Sequence, residues 1–128
     1  MLLLWRFNSE LPIYTQLVDQ IKLAIVSGEL LPGARMTAVR DLALEAGVNP
    51  NTMQRALQQL EREGLVYTQR SSGRFVTEDL TTIARTRDAL AAAHVRRFRE
   101  AMEGLGYTEK EMIGLMKDRK EEEDGKLS

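Results

Sequence analysis

The chain has 128 residues, 43% of them hydrophobic and 29% charged, which suits one small globular domain with an appendage. It contains no cysteine, which excludes disulfides and thiolate metal sites and fits a reducing cytoplasm. The net charge is −1, and residues 35–74 carry six Lys/Arg against four Asp/Glu, a mild local excess of positive charge. The apolar residues 1–5 are too few to span a bilayer, so we expect no membrane attachment.

Two helices are predicted in the first third of the chain. The first begins at Pro12, because a proline fits a first turn where its missing N–H has no helical partner, and it ends at residues 27–28. Its apolar stripe consists of Ile13, Leu17, Ile21, Ala24 and Ile25. After a turn at residues 31–33, a second, shorter helix is predicted from an N-cap at Thr37 to Ala46.

A third helix is predicted from Asn49 or Pro50 to about Glu63, and only a tight turn at Gly47 separates it from the second. That spacing is typical of a helix-turn-helix. Amide, hydroxyl and guanidinium groups crowd its first two turns. Its apolar residues recur at helical spacing and are Met53, Ala56, Leu57 and Leu60. A helix that exposes a polar N-terminal face and buries the other face suits the major groove, so we predict binding to double-stranded DNA.

A β-hairpin is predicted directly after this helix. Residues 65–70 favour a strand, residues 71–73 form a turn, and residues 74–77 return. A hairpin in this position is the wing of a winged helix-turn-helix, and Met36 is a candidate for a short third strand.

The rest of the chain is predicted to be helical. One long helix covers residues 78–103, and a second begins at a capping box formed by Thr108 and Glu111. Each has one apolar side that two copies could bury across a two-fold axis, whereas the charged residues 117–128 are expected to be frayed or disordered. The predicted fold is mainly α with a small β-hairpin: a winged helix-turn-helix at 1–77 and a two-helix dimerisation region at 78–128.

The order of these motifs resembles the GntR family of bacterial transcription regulators. The segments that carry the resemblance are residues 12–14, 25–30, 32–33, 39–43, 47–52, 56–57, 60–61, 63–67 and 73–76. Only some fifty residues follow them, which is similar to the YtrA-like subfamily, as is the Asn-Pro-Asn-Thr sequence at 49–52. This resemblance implies a homodimeric regulator, a repressor of a palindromic operator, and control of a transporter operon.

The resemblance also suggests which residues meet the DNA. It implies that Arg40 contacts DNA and that Gln54, at a family position often occupied by arginine, contacts a base edge. The N-terminal tip of the third helix can hold phosphate, and the wing can approach the backbone or the minor groove. The candidate DNA contacts are Arg40, Asn49, Asn51, Thr52, Gln54, Arg55, Ser72, Gly73 and Arg74.

Several of these assignments have a structural alternative. Arg40 could pair with a carboxylate on its own helix, Arg55 could pair with Gln59 or Glu61 on the surface, and Asn49 could serve only as an N-cap. Pro50 and Gln54 stand where the family commonly has arginine, and Thr37 and Ala38 stand where it favours proline and serine. These departures leave the operator sequence open.

The sequence does not favour catalysis. It lacks a Walker loop, a dinucleotide fingerprint and a Ser-His-Asp arrangement, and its one histidine, His94, has no second ligand at helical spacing, so we expect no enzyme, cofactor or metal. A small-molecule effector remains compatible with the sequence, without residues to assign to it. The alternative function is a winged-helix module that binds protein and has lost its operator.

Overall fold

The computed structural model describes residues 3–127; Met1, Leu2 and Ser128, at the outer ends of the two predicted domains, lie outside the described residues. Its elements are α1 (Ile13–Val26), α2 (Val39–Ala46), α3 (Pro50–Arg62), β1 (Val66–Gln69), β2 (Gly73–Val76), α4 (Leu80–Gly104) and α5 (Glu109–Leu127). Internal contacts divide the chain into two compact units. The boundary falls inside α4, between Arg87 and Asp88, so the first turns of α4 belong to the unit that contains the wing.

The core of the first unit lies between α1, α2, α3 and the hairpin. The predicted apolar faces of α1 and α3 are buried there except at Ile13, which begins α1 and is 38% exposed. Six of these side chains have 0% exposure: Leu17, Ile21, Met53, Ala56, Leu57 and Leu60. Leu42 from α2 and Val76 from β2 complete this cluster. Removing these side chains from water is the main force that holds the three helices and the wing together.

The turn between α2 and α3 matches the prediction. Gly47 ends α2 in a left-handed conformation with φ of 69°, which glycine adopts without the penalty that a side chain would bring. The side-chain oxygen of Asn49 then accepts a hydrogen bond from the backbone N–H of Asn51 at 2.7 Å, and Pro50 occupies the first turn of α3.

The N-cap predicted at Thr37 is wrong. The N-cap of α2 is Ala38, and it offers no side-chain hydrogen bond. The preceding chain is held extended against the wing, because Arg35 bridges to Phe75 and the N–H of Met36 donates to the carbonyl of Arg74 at 2.8 Å. The helix therefore begins only after this pairing ends.

The wing is a two-stranded antiparallel sheet in which Val66 pairs with Val76 and Gln69 with Gly73. The third strand expected at Met36 is a single bridge at the neighbouring residue, Arg35. This contact ties the segment before α2 to the wing, so both are placed on the same side of α3.

The second unit contains most of α4 and all of α5. The predicted capping box is present: the N–H of Thr108 donates to Glu111 Oε1 at 3.0 Å, and the N–H of Glu111 donates to Thr108 Oγ1 at 3.3 Å. The backbone N–H and the hydroxyl of Thr108 both donate to the Glu111 carboxylate, and these two hydrogen bonds lower its pKa. The charged C-terminal segment was predicted to be frayed or disordered. This prediction is wrong for its described residues, which continue α5 as far as Leu127. Between residues 3 and 127, every helix is too short or too polar to cross a lipid bilayer.

Candidate nucleic-acid interface

The tip of α3 offers polar groups to solvent. Asn51 is exposed and Thr52 is half-buried, and within residues 3–127 neither side chain makes a hydrogen bond. Asn49 is exposed but its side-chain oxygen already caps the helix. The N–H groups of the first turn carry the positive end of the helix dipole, so this tip can accept a phosphate.

Arg40 lies in the first turn of α2 with its side chain exposed. Within the described part of the chain it forms no salt bridge, so the alternative of an ion pair on its own helix is not observed. An exposed guanidinium without a carboxylate partner retains its full capacity for a phosphate or a guanine edge. The assignment of Arg40 as a DNA contact remains a prediction.

Arg55 lies over the ring of Tyr14, with 4.8 Å between the guanidinium carbon and the ring centroid. The hydroxyl of the same tyrosine donates to Gln59 Oε1 at 3.3 Å. Tyr14 is half-buried against the core, as expected for a packing residue. Arg55 therefore has a structural role between α1 and α3 that differs from both roles predicted for it, and its predicted contact with DNA stays untested.

Arg74 is held against α3 by two acceptors. Its Nε donates to Glu61 Oε1 at 3.0 Å, and its Nη1 donates to Gln54 Oε1 at 3.4 Å. The hydroxyl of Thr68 also donates to Glu61 Oε1. Burial opposes the ionisation of Glu61, but the hydrogen bonds from Thr68 and Arg74 outweigh it and lower the pKa of its carboxyl. This network fixes the wing to α3, which is the recognition helix of the helix-turn-helix.

Arg35 lies beside the tip of the wing, where it adds a cation that was not predicted from the sequence. Gly73 has φ of 107°, and a Cβ added there would lie 3.3 Å from Nε of Arg35. Ser72, next to it, is exposed and its N–H donates to the carbonyl of Gln69 at 3.0 Å. Arg35 has no salt bridge within the described residues. The bridge to Phe75 sets the position of Arg35, and no local sequence motif predicts such a long-range pairing.

A groove of about 510 Å³ runs between the start of α2, the exposed side of α3 and the wing. Its lining contains two arginines and one carboxylate, which favours an anionic occupant. The residues that line it are Arg35, Met36, Thr37, Ala38, Val39, Asp41, Gln54, Thr68, Gly73 and Arg74. Three of the predicted contacts, Gln54, Gly73 and Arg74, therefore meet in one groove.

In the described part of the chain, no group of three or more His, Cys, Asp or Glu could hold a metal ion. The side chain of His94 is exposed on α4 and its Nδ1 lies 2.9 Å from Arg97 Nη2. This is the surface environment expected from the sequence.

Three helices followed by a hairpin, with a groove between α2, α3 and the wing that contains two arginines and the amide of Gln54, define a winged helix-turn-helix protein. The family described as bacterial regulatory proteins, gntR family, matches residues 13–76. The chain belongs to the GntR family, and the predicted fold class and family are confirmed. It is a DNA-binding transcriptional regulator and not an enzyme.

Two relatives from Bacillus subtilis (strain 168) illustrate the similarity. The HTH-type transcriptional regulator YhcF is 40% identical over 108 residues, which cover 84% of this chain and 89% of YhcF. The HTH-type transcriptional repressor YtrA is 39% identical over 75 residues, which cover 59% of this chain and 58% of YtrA. The first similarity extends well beyond the winged module into the C-terminal helices.

Two solved structures resemble the fold. A GntR family transcriptional regulator from Listeria monocytogenes aligns with a TM-score of 0.83 and 35% identity, and covers 88% of this chain and 98% of its own. The DNA-binding domain of AraR in complex with operator ORX1 aligns with a TM-score of 0.53 and 29% identity, and covers 59% of this chain and 96% of its own. That neighbouring domain is therefore bound to an operator in its solved structure.

Proposed function

We propose that this chain is a homodimeric, cytoplasmic repressor that binds a palindromic operator through the groove between α2, α3 and the wing. The observation that carries the proposal is that Arg35 in the groove lining and Arg40 in the first turn of α2 form no salt bridge with a carboxylate among residues 3–127. At the tip of α3, the side chains of Asn51 and Thr52 also make no hydrogen bond within these residues. Cations without anionic partners suit a polyanionic duplex.

The second unit supports the homodimer. Several large apolar side chains of α4, α5 and their connection are exposed to solvent: Val95, Phe98, Leu105, Tyr107, Ile113 and Met116. A groove of about 710 Å³ on this unit is lined in part by Phe98, Met102 and Met116. Apolar surface of this extent in a small helical unit favours burial against a second copy, and a two-fold axis is the commonest solution.

A dimer also increases the number of base pairs that the small winged module can contact. One recognition helix contacts few base pairs, whereas two helices held about one turn of DNA apart read two half-sites. The operator is therefore expected to be an inverted repeat. Occupying such a site at a promoter excludes polymerase, which is the basis for proposing repression.

The YtrA-like resemblance suggests a transporter operon. Binding of DNA by side chains and helix ends needs no cofactor, and a small-molecule effector would act by changing the population of dimers whose two recognition helices match the half-sites.

The experiment is a selection of bound sequences from random duplex DNA, with Arg40→Ala as the comparison. We expect the wild type to enrich an inverted repeat and the variant to enrich it at least about ten-fold less, because one guanidinium contact contributes about 1–3 kcal/mol. Failure of the wild type to enrich any sequence at low salt would contradict the proposal and favour a module that binds protein.

A further inference from the structure

Four side chains form a continuous chain of hydrogen bonds from the wing to the recognition helix. Thr68 donates to Glu61, Arg74 Nε donates to the same Glu61 oxygen at 3.0 Å, and Arg74 Nη1 donates to Gln54 Oε1 at 3.4 Å. We call Thr68, Glu61, Arg74 and Gln54 the wing clamp. Its last member, Gln54, lines the groove proposed for DNA.

The chemistry of the wing clamp fixes which end of the Gln54 amide faces Arg74. A guanidinium has five N–H donors and no acceptor, so only the amide oxygen of Gln54 can face it favourably. The Arg74 side chain is only 15% exposed and is anchored at the other end by the Glu61 carboxylate. The oxygen of Gln54 is thus engaged, while its Nε2 forms no hydrogen bond within residues 3–127.

We propose that the wing clamp makes Gln54 a hydrogen-bond donor to the major groove, so that it selects guanine and not adenine at the base pair it contacts. This inference rests on the proposed DNA-binding function of the groove. It assigns a base preference to Gln54 and makes Arg74, Glu61 and Thr68 residues that position it.

The pattern of groups on the bases explains the choice. An unconstrained glutamine pairs with adenine, because its oxygen accepts from N6 while its nitrogen donates to N7. In the wing clamp the amide oxygen of Gln54 faces Arg74, so the two N–H groups of its Nε2 are the donors available to the groove. Guanine presents two acceptors, N7 and O6, on its major-groove edge, whereas the N6 amine of adenine would face another donor.

The test uses the same selection from random duplex DNA with the full chain and three variants. Gln54→Ala identifies the position that Gln54 reads, because only that position loses its preference. Arg74→Met removes the guanidinium that holds the amide oxygen. Arg70→Met is the matched control, because Arg70 is an exposed arginine of the wing that loses the same charge but has no hydrogen bond to Gln54.

At the position identified by Gln54→Ala, we expect the wild type and Arg70→Met to enrich guanine over adenine by roughly ten-fold. Arg74→Met should move that single position to adenine, while the rest of the motif persists and shows that the variant is folded. Adenine in the wild type, or an unchanged base in Arg74→Met, would overturn the inference.

The selection also separates the role of Gln54 from the proposed DNA-binding function of the chain. A motif that the wild type recovers but that Gln54→Ala leaves unchanged at every position would overturn the role of Gln54 and leave the regulator intact. Absence of any motif in the wild type would overturn both.

Discussion

The two units of the chain differ in how much of their apolar surface they bury. In the first unit, the apolar faces of α1 and α3 pack on one another and on the wing, and their side chains are buried except for that of Ile13. In the described part of the second unit, Met112 is the one large hydrophobic residue with under 9% exposure, while Leu105 is 73% exposed and Met116 is 53% exposed. The first unit builds a buried core within one chain and still exposes single apolar residues such as Leu23 and Leu44. The second unit buries little of its apolar surface, which leaves a surface suited to a partner.

The largest expected effect is the loss of stability when a core side chain of the first unit is truncated. Leu57→Ala removes a side chain with 0% exposure and should lower the free energy of unfolding by about 3 kcal/mol, because a cavity adds to the lost burial. Leu44→Ala, at a residue 81% exposed, should change it by less than about 0.5 kcal/mol. Urea denaturation measures both, and equal losses would contradict the assigned core.

A charge in the groove of the second unit tests the other half of the contrast. Met116→Asp should raise the dissociation constant of the proposed dimer by at least about ten-fold, because a carboxylate is costly to bury even with Arg119 and Lys120 in the same groove. Sedimentation velocity measures this, with Ala89→Asp as the control for an equal change of charge at an exposed α4 residue outside the groove. Unaltered dimerisation of Met116→Asp would show that the groove is not the interface.

A smaller effect is expected at Arg35. Arg35→Gln should weaken binding to the selected operator and reduce the slope of log Kd against log salt by about 2, because each of the two chains on the operator loses one cation that meets phosphate. Arg62→Gln is the control: Arg62 also belongs to the first unit, donates to Gln59 and does not line the DNA groove. Equal slopes in the wild type and Arg35→Gln would exclude Arg35 from the interface.

The smallest effect concerns Glu61. Its pKa is lowered in the folded chain, so its carboxylate stabilises the fold above the ordinary pKa of 4.5, and this contribution is lost as the pH falls through the folded-state pKa. Between pH 6 and pH 3, the wild type should lose up to about 1 kcal/mol more stability than Glu61→Gln, since the group is partly exposed. Urea midpoints at both pH values measure this difference, and parallel pH profiles would contradict it.

Local patterns accounted for the elements but not for the contacts between them. The cap at Asn49, the turn at Gly47 and the capping box of Thr108 with Glu111 depend on residues close in sequence, and all three are present as predicted. The start of α2 was misplaced because the bridge from Arg35 to Phe75 delays it.

The same reasoning applies to the candidate site. The sequence identified the tip of α3 and the wing, but it could not show that Arg74 is committed to Glu61 and Gln54. It also missed the stacking of Arg55 on Tyr14, which joins α1 to α3. Each of these contacts depends on tertiary packing between elements whose separate existence was predictable.

The most direct test of the division of labour between the two units is the binding of the chain to its selected operator when the spacing of the half-sites is changed. We predict two chains per duplex by sedimentation, and a loss of affinity of at least about ten-fold when five base pairs, about half a helical turn, are inserted between the half-sites. Equal affinity for both spacings, or one chain per duplex, would contradict a dimer that fixes two recognition helices on one face of DNA.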